Sequence, residues 1–223
     1  MEKITILVFL KYQDRKSWCG MELLSQSGSI IFAANKISQM EGKINEPRWD
    51  EFIVSEFQKR ENFDNTLDRL AKENKLKYYR IVLIDPYPRK QTQEFVKPNS
   101  GTYTDQTIVI LNFLKYLTKA KYSDEEIKAG RDAYKAYGRK FITFLGKYGG
   151  RLEYGGKIKS NIVDVIQPFD FDSFTFVKYP SFEKMFKMLF GDKWQEASKH
   201  RTAALEDSTV LKVKPYKEFL QNS

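Results

Sequence analysis

The chain has 223 residues, 41% hydrophobic and 15% aromatic, with a formal net charge of +9. That much apolar material excludes a disordered chain and suits one large domain or two small ones. No stretch approaches ~18 uninterrupted apolar residues, which excludes a membrane-spanning helix, and the scattered lysines read as a solvated surface.

The N-terminal MEKITILVFLKY is apolar after Lys3 and runs into charged residues without a small-residue cleavage site, so Ile4 to Tyr12 reads as a strand and not as a signal peptide. A short helix is expected near Asp14 to Gln26, ended by Gly28, then a strand SIIFAANKI. Trp49-Asp50-Glu51-Phe52 opens a strand FIVSEF, FDNTLDRL at 63–70 reads as an amphipathic helix, and IVLIDPY at 81–87 as a strand stopped by its proline. Pro86 to Gln106 has linker composition, with prolines and Asn99-Ser100-Gly101.

Ile108 to Tyr116 opens a second set. Ser123 and Glu126 have capping-box spacing, and Ile127, Tyr134, Tyr137, Phe141, Phe144, Leu145 and Tyr148 recur at helical spacing. Gly149-Gly150 ends that helix, because glycine accepts the left-handed conformation at a C-terminus. RLEYGGK at 151–157 reads as a strand weakened by glycines, Ile158 to Asp170 as irregular, then FTFVKY as a strand, FEKMFKML at 182–189 as a helix and VLKVKPY at 210–216 as the last strand.

The chain repeats itself. ITILVFLKY (4–12) and IVILNFLKY (108–116) differ only at Thr5/Val109 and Val8/Asn112. WDEF (49–52) matches FDSF (171–174), and IVLIDPY matches VLKVKPY. Each half reads βαββαβ, an order that gives a four-stranded antiparallel sheet with its helices on one face. The other face is apolar and needs cover. The expected architecture is α+β: tandem ferredoxin-like halves, 1–90 and 107–223 with a linker at 91–106, packed sheet to sheet as an intrachain dimeric α/β-barrel.

AYKAYGRKFITFLGKYGGRLEYGGK (133–157), FTFVKYPSFEKMFKMLFGDKWQEASKHRTAA (174–204), Met40-Glu41-Gly42 and EPRWDEFIVSEF (46–57) resemble a domain-of-unknown-function family of the dimeric α/β-barrel superfamily, present as two copies. The first half departs from that pattern, since it has no tyrosine-bearing helix, Gly-Gly-Arg turn or Pro-Ser step. The resemblance implies a cleft between the sheet and the first helix of a half. It includes cofactor-independent monooxygenases, isomerases and haem proteins such as chlorite dismutase among the relatives, so fold alone does not fix function.

On that basis the ligand-binding candidates in the second half are Asn112, Tyr134, Tyr137, Arg139, Arg151 and His200. Asn112 replaces Val8 in an otherwise near-identical strand, and a buried amide needs partners. Arg151, directly after Gly-Gly, could hold a carboxylate bidentately. Tyr137, Tyr179 and Trp194 on apolar stripes read equally as core. His200 is the only histidine and Cys19 the only cysteine. A histidine-built metal site and a disulfide are therefore excluded, no metal site is expected, and the compartment expected is the cytoplasm. The expected function is binding of a small aromatic or acyl ligand bearing a carbonyl or carboxylate, in a monomer with pseudo-dimeric halves or a homodimer, with cofactor-independent oxygenase or isomerase chemistry as its extension. No cofactor is expected. The alternatives are a haem protein with His200 on the iron, or a basic nucleic-acid or protein interaction module, for which no basic stripe is visible; a membrane partner is not expected.

Overall fold

A computed structural model describes residues 3–14, 19–42, 49–88, 104–122, 129–163 and 169–217. Eight strands form a closed barrel: β1 (Ile4–Tyr12), β2 (Ser29–Glu41), β3 (Glu51–Phe57), β4 (Leu76–Pro86), β5 (Ile108–Tyr116), β6 (Arg151–Val163), β7 (Ser173–Tyr179) and β8 (Leu205–Pro215). The order around the barrel is β1-β3-β2-β8-β5-β7-β6-β4, and all neighbours are antiparallel. It contains two quartets of the same internal order, β4-β1-β3-β2 and β8-β5-β7-β6. They are sewn together by β2 against β8 and β4 against β6. Closure leaves no sheet edge unpaired in the barrel.

The central strands explain this arrangement. β1 is buried on both faces, and its β-branched and aromatic residues suit a pleated surface covered on both sides. Leu7 and Phe9 point into the barrel, while Ile6, Val8 and Leu10 point out under helices. β5 divides its residues the same way, with Val109, Leu111 and Phe113 inside and Ile108 and Ile110 outside. Rings from the two quartets meet in the interior: Phe9 lies 5.8 Å from Phe113 and Phe52 packs edge-on at 5.4 Å from Phe176. The quartets share finer details as well. Each central strand carries a bulge at its Lys-Tyr end, and there Asp50 accepts from Tyr12 N–H as Asp172 does from Tyr116 N–H.

Helices α1 (Gly20–Ser25) and α2 (Arg60–Lys72) cover the outer face of the first quartet. Helices α3 (Gly130–Leu145), α4 (Phe182–Leu189) and α5 (Asp192–Ala204) cover the second. None of the described helices is long and apolar enough to cross a membrane. α3 passes through a 3-10 turn, Gly146–Tyr148, to Gly149, whose φ of +72° is the left-handed termination that its sequence predicts. Ser181 caps α4 by accepting from Lys184 N–H. The Ser123–Glu126 capping box lies outside the described residues, as does most of the linker.

Several elements differ from the sequence reading. β6 continues to Val163 through residues read as irregular, because Ile158 to Val163 pair with β4 of the other quartet. β4 and β8 begin five residues earlier than their apolar cores, at Leu76 and Leu205. A further helix, α5, carries His200.

Candidate functional site

The outer faces of the two quartets are built alike and filled differently. In the first, Val8 pairs with Ile53 on one side and Ile81 on the other, and all three are fully buried. Leu24 of α1 and Phe63 and Leu70 of α2 pack in the same cluster. In the second, the corresponding row is Thr175, Asn112 and Val210. Two positions that are aliphatic in the first row are thus polar in the second. Above this row the structure holds a cavity of about 220 Å³.

Its floor is the outer face of β5, β6, β7 and β8, through Ile110, Asn112, Leu152, Thr175, Val177, Tyr179 and Val210. Its roof is helical: Tyr134, Tyr137, Gly138, Phe141 and Ile142 from α3, Met185 and Leu189 from α4, and Trp194 and Arg201 from α5. Met40 and Glu41 at the end of β2 complete the wall, so the first quartet contributes to the second quartet's site across the β2–β8 seam. The helical spacing of α3 puts Tyr134, Tyr137 and Phe141 on one face. Their rings run in sequence, with Tyr134 to Tyr137 at 5.1 Å and Tyr137 stacked on Phe141 at 5.4 Å; Trp194 meets Tyr137 edge-on at 5.6 Å.

The polar groups are few and under-used. The Asn112 amide reaches Thr175 Oγ1 at 3.4 Å, a long and weak hydrogen bond. The hydroxyls of Tyr134, Tyr137 and Tyr179 make no hydrogen bond to a described residue. Among the described residues no buried side-chain nitrogen or oxygen lacks a partner, so these hydroxyls are accessible, and all three residues line the cavity. Burial raises all three phenols above their usual range, with neighbouring phenols adding to it, so they remain protonated donors at neutral pH. Arg201 Nη2 donates to Glu41 Oε1 at 2.8 Å and to Ser208 Oγ at 3.0 Å, and the Ser208 hydroxyl donates to Glu41 Oε1 at 2.6 Å. Burial works against the Arg201 charge, and the Glu41 carboxylate more than offsets it, holding the guanidinium firmly charged.

Of the residues singled out in the sequence, Asn112, Tyr134 and Tyr137 come together on this cavity. Arg139 is exposed on the solvent side of α3. Arg151 pairs with Glu153 at 2.7 Å and is not among the lining residues. His200 Nδ1 lies 2.7 Å from the Tyr122 hydroxyl, also away from the lining. Tyr179 and Trp194, read as core, are core residues whose inner edges form cavity wall. Thr175, Glu41 and Arg201 were not singled out. Thr175 was within reach, since extending the WDEF/FDSF match by one residue sets Ile53 against Thr175. Arg201 and Glu41 are 160 residues apart, and no local pattern pairs them.

No family model matches the chain, and no curated protein matches it. Solved structures do. A variant of chlorite dismutase from Candidatus Nitrospira defluvii is similar over 98% of this chain and 94% of its own, with a TM-score of 0.54 and 11% identity. A candidate monooxygenase from Lactobacillus acidophilus covers 96% and 94%, with a TM-score of 0.52 and 10% identity. A protein of unknown function from Rhodopseudomonas palustris is 28% identical over 60% of this chain and 97% of its own, with a TM-score of 0.47. The first two similarities show a shared fold, the dimeric α/β-barrel. A histidine-ligated haem does not fit this cavity: His200 is engaged with Tyr122 and is not among the lining residues, and no other histidine exists in the chain.

Proposed function

We propose that the chain is a small-molecule binding protein whose ligand occupies the cavity between the sheet and α3, and that its two quartets are tandem ferredoxin-like halves derived by duplication. One observation carries this reading. The first quartet closes its outer face with Val8 and Ile53, whereas the second replaces the same cross-strand pair with Asn112 and Thr175 and leaves open space above them. A core gains nothing from exchanging two packed aliphatic residues for a weakly bonded amide and a hydroxyl beside open space, because packing contacts are lost and polar groups are set among apolar walls. A ligand gains from both. The surround of aromatic rings suits a flat apolar body, and the amide and tyrosine hydroxyls suit carbonyl oxygens.

Native mass spectrometry of the purified protein tests this. The wild type is expected to carry, or to accept from a panel of aromatic and acyl carbonyl compounds, one molecule per chain. The Asn112→Val, Thr175→Ile double variant is expected to carry none. Equal occupancy in both proteins would place the ligand elsewhere. Because a fold neighbour is described as a monooxygenase, oxygen uptake in the presence of a bound compound is the activity to assay first.

A further inference from the structure

Helix α3 carries a glycine, Gly138, near its middle. Glycine inside a helix destabilises it relative to alanine, because glycine gives up the most backbone freedom on folding. Other glycines of this fold have evident reasons. A Cβ at Gly130, the first residue of the same helix, would run into the carbonyl oxygens of Leu117 and Ala204, and Gly149 takes a φ of +72°. Neither reason holds at Gly138. Its backbone is ordinary α-helix. A Cβ built on it meets no atom within 4 Å, so no packed element approaches closely enough to require glycine. The cavity is what lies beside it. Gly138 is half-buried and lines the cavity, as do Tyr134 one turn before it and Phe141 and Ile142 one turn after it. The missing side chain leaves a gap in the helical roof.

We infer that Gly138 is a specificity-determining residue: the gap it leaves admits elongated aromatic carbonyl compounds, those with a substituent at the end of the ring system remote from the carbonyl, which a larger residue here would shut out. The inference rests on the cavity being a ligand site and adds the size of ligand and the residue that sets it. A helical side chain leans toward the turn N-terminal to its own Cα. At position 138 it would therefore lie over the turn that carries Tyr134 and narrow the roof there. An alanine methyl takes little of that space, and a leucine side chain takes most of it. The glycine thus lowers helix stability and widens the cavity at once, and substitutions of different size separate the two effects.

Calorimetric titration with 2-acetonaphthone and with its 6-dimethylamino derivative, which carries the same ketone on a longer body, tests this. The wild type is expected to bind both. Gly138→Leu should weaken the derivative at least about tenfold and 2-acetonaphthone by less than about threefold, because the added side chain excludes only the longer compound. Gly138→Ala should raise the Tm of the unliganded protein by about 1–4 °C, since alanine favours the helix and meets no neighbour. A Gly138→Ala protein that melts below the wild type would mean that the fold itself needs the glycine, and would overturn the inference. So would Gly138→Leu if it kept the derivative or weakened both ketones alike, and so would a wild type that bound 2-acetonaphthone alone. Each of these leaves the ligand-site reading standing. A wild type that bound neither ketone would overturn the inference together with that reading. The Gly138→Ala measurement needs no ligand, so a poorly folding Gly138→Leu protein does not block the test.

Discussion

Refilling the cavity by copying the first quartet is the sharpest perturbation. Asn112→Val and Thr175→Ile, made together, recreate the Val8–Ile53 pair on the same register of β5 and β7. The cavity of about 220 Å³ is partly open and lined in part by polar groups, so the gain comes from the apolar surface that the new side chains cover and not from closing an empty void. Two side chains fill only part of the cavity. The threonine exchange adds buried apolar surface worth about 0.8 kcal/mol per methylene. Replacing both partners of the 3.4 Å Asn112–Thr175 bond at once leaves neither group unpaired, which is close to neutral or stabilising. The double variant is therefore expected to be about 1–2 kcal/mol more stable than the wild type, which raises Tm by about 2–8 °C for a chain of this size. Differential scanning calorimetry without added ligand measures it. A loss of about 1 kcal/mol or more would refute the reasoning, because it would mean that the polar pair holds the structure together.

Other expectations follow from particular contacts. Phe113→Ala removes a ring that packs against Phe9 and Phe169 in the barrel interior and should cost about 3–5 kcal/mol in chemical denaturation. Gly130→Ala would push a methyl group into the carbonyl oxygens of Leu117 and Ala204 at the start of α3, and should destabilise by about 1–3 kcal/mol by the same assay. Phe190, 73% exposed at the end of α4, should tolerate Ser within about 0.5 kcal/mol. Glu51 is 2% exposed and accepts from Tyr12 at 2.5 Å and Tyr216 at 2.9 Å; burial nonetheless raises its carboxyl above the usual range. The folded protein then holds this proton more tightly than the unfolded chain, so stability falls as pH rises from the ordinary carboxylate range through the raised value. Glu51→Gln should flatten that part of the stability–pH profile; an unchanged slope would assign it to another group.

How much of this was legible in the sequence depended on how local the signal was. The near-identity of 4–12 and 108–116 exposed the two central strands, and one of its two mismatches, Val8/Asn112, pointed to Asn112. Tyr134, Tyr137 and Phe141 followed from helical spacing, and Gly149 from its place after the last periodic residue. The full length of β6 was not visible, because Ile158 to Val163 are strand only through pairing with β4 of the other quartet. The Arg201–Glu41 pair was hidden for the same reason, since its members meet only where β2 and β8 close the barrel. Arg151 drew notice by following two glycines, yet its strand sets it beside Glu153, which satisfies it. For β6 and for the Arg201–Glu41 pair the missing information was a pairing between distant segments, which neither periodicity nor capping encodes.

The most direct test of the cavity as a ligand site is an NMR titration of protein labelled at its methionine methyl groups. Met185 lines the cavity, whereas Met188 is buried in the same helix away from the lining. Aromatic ligands shift nearby methyl resonances through their ring currents. Adding 2-acetonaphthone is expected to move Met185 saturably at one ligand per chain and to leave Met188 nearly still, with no response in the Asn112→Val, Thr175→Ile variant. A Met185 resonance that stays fixed in the wild type, or moves equally in the filled variant, would contradict the account.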